Sequence, residues 1–292
     1  VNTTTARVLP RRISVVLDAD DQDPRLLGLI AGMAAALEAE LEGVFVENDL
    51  LLRAVGLPFV REFRLTTRAE AGLDAARLQQ ELRAVARRAR ASLQASAQHI
   101  GCAWSFRVWR GDVEGEILSA VSTAEMFLLT PRGRFAPSVR GAVPPLRLRP
   151  DWRLGPRSGS RAGAMAGAQA EWPDPRGPRI GVLFDGSAGA TRALSAAAQM
   201  ARQRPVRLEV LQQAQDAEDA ERQRRQARTT LGELADDVEM VPLVSADTAS
   251  IPGGGTGRNY DLLMLDADSQ LLQREPLWQS LARLHCPLLI VR

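Results

Sequence analysis

Two aspartates, Asp18 and Asp185, each close a short apolar run, Arg12-Ile-Ser-Val-Val-Leu-Asp18 and Arg179-Ile-Gly-Val-Leu-Phe-Asp185. An acid at the carboxyl end of a strand stands where open α/β sheets take their ligands, and it can equally cap the helix that follows. His99 with Cys102 and His285 with Cys286 carry zinc-binding side chains, but the pairs fall far apart and neither spacing is a zinc knuckle. No metal is expected. Gly253-Gly-Gly-Thr-Gly257 has the glycines of a phosphate loop, yet it follows Pro252 and lacks the Lys, so it reads as a flexible loop. In Gly186-Ser187-Ala188-Gly189 the first glycine of a nucleophile elbow is replaced by Asp185, and no Ser-His-Asp triad is visible. Every basic residue is Arg. The absence of Lys excludes Walker-type phosphate binding and Schiff-base chemistry. The expectation is a protein without catalytic residues.

The elements that position these residues alternate. After the strand ending at Asp18, Asp23 caps a helix, Pro24 suits its first turn, and Leu26, Ile30, Met33, Leu37 and Leu41 recur at helical spacing up to Gly43. Residues 43–47 read as the second strand. A long helix is expected over 70–98, with Leu78, Leu82, Val85, Ala89 and Leu93 on one face and Gly101 as its stop. Trp104, Phe106 and Val108 alternate with polar residues as a third strand, a short helix carries Ile117, Leu118 and Val121, and 126–130 form the fourth strand. The rhythm restarts at Arg179: strand 179–185, a helix through Leu194, Ala198 and Ala201, strand 206–211, a charged helix over 216–234, strands 238–244 and 261–265, a helix over 278–284, and strand 287–291. Such alternation predicts an α/β fold of two tandem open, mainly parallel, Rossmann-like sheets with helices on both faces.

The length, 292 residues, suits two domains, and 45% hydrophobic residues give each half a core. The expected division is a first domain over 1–150, a linker over 151–177 rich in Gly, Pro, Ala, Ser and Arg, and a shorter second domain over 178–292. With no apolar run long enough to span a bilayer and no leader-like start, the expected compartment is the cytoplasm, where Cys102 and Cys286 remain thiols.

In its order of motifs the chain resembles the universal stress protein family in tandem two-domain form. The shared pieces are the strands ending in Asp18 and in Asp185-Gly186-Ser187, Arg110-Gly111-Asp112 before Ile117-Leu118, Thr130-Pro-Arg-Gly133-Arg after the fourth strand, and Cys286-Pro-Leu-Leu-Ile-Val-Arg292. Residues 49–63 look like an insertion found in some tandem members. Nucleotide-binding members carry G-x-x-G, nine residues, then G-S or G-T after the fourth strand. In the first half Thr130 stands for the first Gly, Gly133 meets the second, and Val143-Pro144 replaces the later pair, with Pro144 and Pro145 removing N–H donors. In the second half the stretch reads Leu265-Asp266-Ala267-Asp268-Ser269-Gln270, where two carboxylates would repel a triphosphate. The resemblance therefore implies degenerate nucleotide motifs and no cofactor in the second half. The residues it marks as cofactor-binding candidates are Asp18, Arg132, Gly133, Asp185, Gly186 and Ser187, and an ATP- or AMP-binding switch in the first half is the alternative.

Residues 132–161 hold eight Arg against the single acid Asp151, which raises a third reading, an Arg-mediated nucleic-acid binder; no reader module accompanies it. The arginines of 87–90 and 222–228 read as solvated helix faces balanced by nearby Glu. Single-domain family members pair through their last strand, so the resemblance implies an internal pseudo-dimer, with Pro144–Pro150 as a worn counterpart of Cys286–Arg292, and allows a homodimer. The resulting expectation is a regulatory or adaptor protein of the stress response that acts through an unidentified protein partner.

Overall fold

The structure, a computed structural model, describes residues 12–17, 23–48, 61–64, 69–72, 75–111, 125–130, 177–243, 260–270, 272 and 286–292. Strand β1 (Arg12–Leu17) is β-branched and apolar, with Ile13 to Leu17 buried on both faces, as a central parallel strand requires. Helix α1 (Pro24–Ala36) starts at Asp23, whose carboxylate accepts from the Arg25 N–H at 2.9 Å. It ends earlier than the spacing predicts. Ala39 N–H bonds the Ala34 carbonyl and Glu38 N–H that of Ala35, with Glu38 at φ 54°, so the chain turns out of the helix before Leu41. Leu41 instead belongs to β2 (Glu40–Asn48), between Ile13 of β1 and Trp104 of β5 (Trp104–Gly111).

The second helix is also shorter at its start than expected. Residues 70–72 belong to an antiparallel pair, β3 (Arg61–Arg64) with β4 (Ala69–Gly72), and α2 runs over Ala75–Ile100. Gly101, at φ 80°, is the stop: its N–H and that of Cys102 both bond the Ala97 carbonyl. The last described strand of the first run is β6 (Met126–Leu129). The second comprises β7 (Arg179–Phe184), α3 (Ala188–Gln203), β8 (Arg207–Gln212), α4 (Ala217–Leu231) with a 3-10 turn (Gly232–Asp236), β9 (Glu239–Pro242), β10 (Leu262–Asp266) and β11 (Leu288–Val291). The helices expected around Ile117 and over 278–284, the glycine loop 253–257, the basic segment and all of the linker but Gly177 lie outside the described residues.

Among the described residues, the nine strands other than the β3–β4 pair form one sheet, in the order β5-β2-β1-β6-β11-β10-β7-β8-β9. Every neighbouring pair is parallel except β6 with β11, where Met126 faces Val291 and Leu129 faces Leu288. The resemblance implies a seam between two last strands; here the last strand of the second run lies against the fourth of the first. The composition explains the preference. Met126-Phe-Leu-Leu129 and Leu288-Leu-Ile-Val291 are buried on both faces, whereas Pro144, Pro145 and Pro150 lack the N–H groups a central ladder needs.

The four described helices share a single hydrophobic cluster on one face of the sheet. Helix α1 is apolar nearly all round because it lies between α2, α3 and the strands. Gln199 of α3 donates to the Ala36 carbonyl at the end of α1 (2.6 Å), and the Arg204 guanidinium lies against Gly32, tying the two runs together on this side. The second face is buried by Val16, Val44, Phe127, Leu211, Leu263 and Ile290 among others. Each run also sinks one glutamate into that face. Glu42 accepts from the Ser14 hydroxyl (2.9 Å) and pairs with Arg107 (3.0 Å). At the equivalent place Glu209 accepts from the Tyr260 hydroxyl (2.8 Å) and pairs with Arg179 (3.3 Å). Gly181 stands where the first run has Ser14, and a Cβ there would come within 3.1 Å of the Tyr260 ring.

Candidate functional site

The carboxyl ends of β7 and β10 lie side by side at the start of α3. Beyond Phe184 the chain turns at Gly186, φ 82°, a conformation other residues adopt only with strain. Asp185 accepts from the Ser187 N–H (2.9 Å). Ser187 caps α3, its Oγ accepting from the Ala190 N–H (3.0 Å) and its carbonyl from Thr191. The geometry of Asp185, Gly186 and Ser187 is thus that of a helix entry, with the Ser187 N–H, its hydroxyl and one Asp185 carboxylate oxygen engaged inside the chain.

Helix α4 closes the turn from above. Gln223 Nε2 donates to the carbonyls of Asp185 (3.2 Å) and Gln213 (3.0 Å) and to the Asp219 carboxylate (2.9 Å). Gln226 Nε2 donates to the Gly186 carbonyl (3.1 Å) and the Thr191 hydroxyl (3.0 Å). Gln212 similarly holds the Ala220 carbonyl. The Asp219 carboxyl is held below the usual carboxylate range, chiefly by the Gln215 N–H and further by Arg222 and Gln223.

From β10, Asp266 fills the remaining space. Its carboxylate lies so close to the first turn of α3 that a Cβ on Gly189 would sit 2.0 Å from its Cγ. The side chain is buried, its Oδ1 has no hydrogen-bond partner among the described residues, and the cation beside it, Arg192, stands 3.9 Å away while its Nε serves the Arg292 carbonyl (3.0 Å). Burial pushes the Asp266 carboxyl up, Asp268 and Asp185 add to the rise, and Arg192 opposes it. Gln213 Oε1 and Gln223 Oε1 are likewise buried and without a hydrogen-bond partner among the described residues.

Asp185, Gly186 and Ser187 are therefore brought together, whereas Asp18, Arg132 and Gly133 lie outside the described residues. Sequence reasoning passed over Gln223 and Gln226. A signal for Gln223 was present, since it interrupts the stripe Ala220, Ala227 and Leu231 on the buried side of α4. Cys102, half-buried at the end of α2, packs on the helix-side cluster, and Cys286 lies in the cluster on the other face. Burial raises both thiols, Cys286 to about 12, where nearby Asp261 adds to the rise. Among the described residues no group of three His, Cys, Asp or Glu could hold a metal, and no helix is long and apolar enough to cross a membrane.

No protein-family model and no curated protein matches the chain. Among solved structures it is similar to a universal stress protein from Archaeoglobus fulgidus DSM 4304, at 12% identity and a TM-score of 0.52 over 96% of each chain. A functionally unknown protein from Pseudomonas aeruginosa PAO1 aligns at 14% identity and a TM-score of 0.44, over 97% of this chain and 92% of that one. A member of the universal stress protein family from Burkholderia pseudomallei aligns at 21% identity and a TM-score of 0.30, over 40% of this chain and 79% of that one. The mainly parallel α/β architecture read from the sequence is the fold this chain shares with the universal stress protein from Archaeoglobus fulgidus.

Proposed function

We propose that the chain is a universal stress protein-like regulatory or adaptor protein of the cytoplasm, of tandem form with degenerate nucleotide motifs, which works through protein contacts and without catalysis. The observation that carries this reading is the self-filled crevice of the second run. Backbone N–H groups at a helix start hold phosphates only when they are accessible and face no negative charge. Here the Asp266 carboxylate lies on the first turn of α3, the N–H groups of Ser187 and Ala190 are bonded internally, and Gln223 and Gln226 cover the Asp185–Ser187 turn. A polyphosphate would have to displace a buried carboxylate and break these bonds.

Thermal unfolding with and without millimolar ATP and AMP tests the reading, because a ligand at 100 times its Kd adds about 2.7 kcal/mol to stability. The expected result is an unchanged midpoint. A rise abolished by Asp18→Ala or Gly133→Pro would replace the reading with a nucleotide switch in the first half. One abolished by Asp185→Ala alone would overturn the closed crevice itself.

A further inference from the structure

At the far end of the sheet from Asp185, a cavity of about 580 Å³ opens between α2 and the strands β2 and β5. Its floor is apolar. Ala86, Phe106 and Val108 line it, and Val108, 40% exposed, is the exposed large hydrophobic side chain among the described residues. Its rim is cationic: Arg83, Arg87 and Arg90 follow one another at i, i+4 and i+7 along one side of α2, a row roughly 10 Å long at 1.5 Å per residue. The sequence leads one to expect the arginines of 87–90 to be balanced by neighbouring glutamates, and among the described residues neither Arg87 nor Arg90 has such a partner, nor does Arg83. Glu81 is taken by Arg77 (3.0 Å), Arg87 Nε donates only to the Arg83 carbonyl (3.3 Å), and Arg90 lies over the Trp104 ring at 5.9 Å. Among the described residues one carboxylate, the buried Glu47, lines the cavity against three guanidinium groups.

We infer that this cavity binds a small organic anion with an apolar body, its carboxylate or phosphate held by Arg83 and Arg87 and its body laid on Phe106 and Val108. Guanidinium forks bind both headgroups bidentately, and stacking on Trp104 holds Arg90 in place without using its outward N–H groups. The volume falls within the range of about 300–1,000 Å³ common to small-molecule sites. An apolar floor beneath a row of guanidinium groups that no described carboxylate pairs suits an amphipathic ligand better than inorganic phosphate, which would leave Val108 in water. The site is remote from the Asp185 turn, so its test is independent of the nucleotide experiment.

Titration of the full chain with 1-anilinonaphthalene-8-sulfonate, followed by competition with dodecanoate or dodecyl phosphate, reads the site directly. One saturable dye site is expected, displaced by both amphiphiles, with the tighter one identifying the headgroup. Arg83→Gln combined with Arg87→Gln, and separately Val108→Glu, should each weaken dye binding at least tenfold with the melting temperature unchanged, since all three side chains are exposed. The inference is overturned if no saturable site is found, if these variants bind as the parent does, or if inorganic phosphate or duplex RNA displaces the dye as well as dodecanoate does.

Discussion

Asp266 shows how one side chain decides the character of a crevice. Its carboxyl is pushed up by burial, by Asp268 and by Asp185, so the folded chain holds that proton more tightly than the unfolded one. The linked stability is present below the reference carboxylate range, near about pH 4, and is lost as pH rises through the folded value. Asp266→Asn should therefore melt higher than the parent at pH 7, with the difference closing as pH falls towards about 4; a lower midpoint at every pH would contradict this. The two carboxylates at and just beyond the end of β10, Asp266 and Asp268, were legible in the sequence as hostile to a phosphate. That Asp266 would be pressed onto Gly189 was not, because the contact joins residues distant in the chain whose approach depends on the pairing of β7 with β10.

At the level of elements, the end of α1 shows where periodicity misleads. Leu37 and Leu41 are four residues apart, the spacing of successive helical turns, but Leu41, Phe45 and the intervening Gly43 also fit the alternation of a strand. The helix exit is made by Glu38 in the left-handed region, where no Gly announces it. Because such a position costs an ordinary residue about 1 kcal/mol, Glu38→Gly should raise the melting temperature by about 2–4 °C. A fall in scanning calorimetry would mean that Glu38 makes a stabilising contact in that turn. Elsewhere capping residues located one helix start and one helix end. Asp23 with Pro24 marked α1, and Gly101 marked the end of α2. The β3–β4 pair was missed because its four-residue strands pair with each other and leave the main sheet untouched.

For the molecule as a whole, the antiparallel seam of β6 and β11 makes one sheet from two runs of strands, and α1 against α3 reinforces it on one face. Fully buried leucines on both sides of a seam couple the stability of what they join. Urea unfolding followed by Trp fluorescence and by far-UV circular dichroism should give coincident transitions, and Leu128→Ala, which opens a cavity in the seam, should lower stability by about 2–5 kcal/mol while keeping them coincident. Two separate transitions would show that the halves fold independently. The sequence by itself determined the alternation of strands and helices, the mainly parallel sheet, and the lack of glycine over 265–270, because these follow from local periodicity, capping and residue type. Tertiary structure alone decided that β11 pairs with β6, that Gln223 and Gln226 close the Asp185 turn, and that three arginines of α2 stand above Phe106 and Val108 with no carboxylate paired to them among the described residues. Each of these depends on which distant segments share a surface, and no local pattern encodes that.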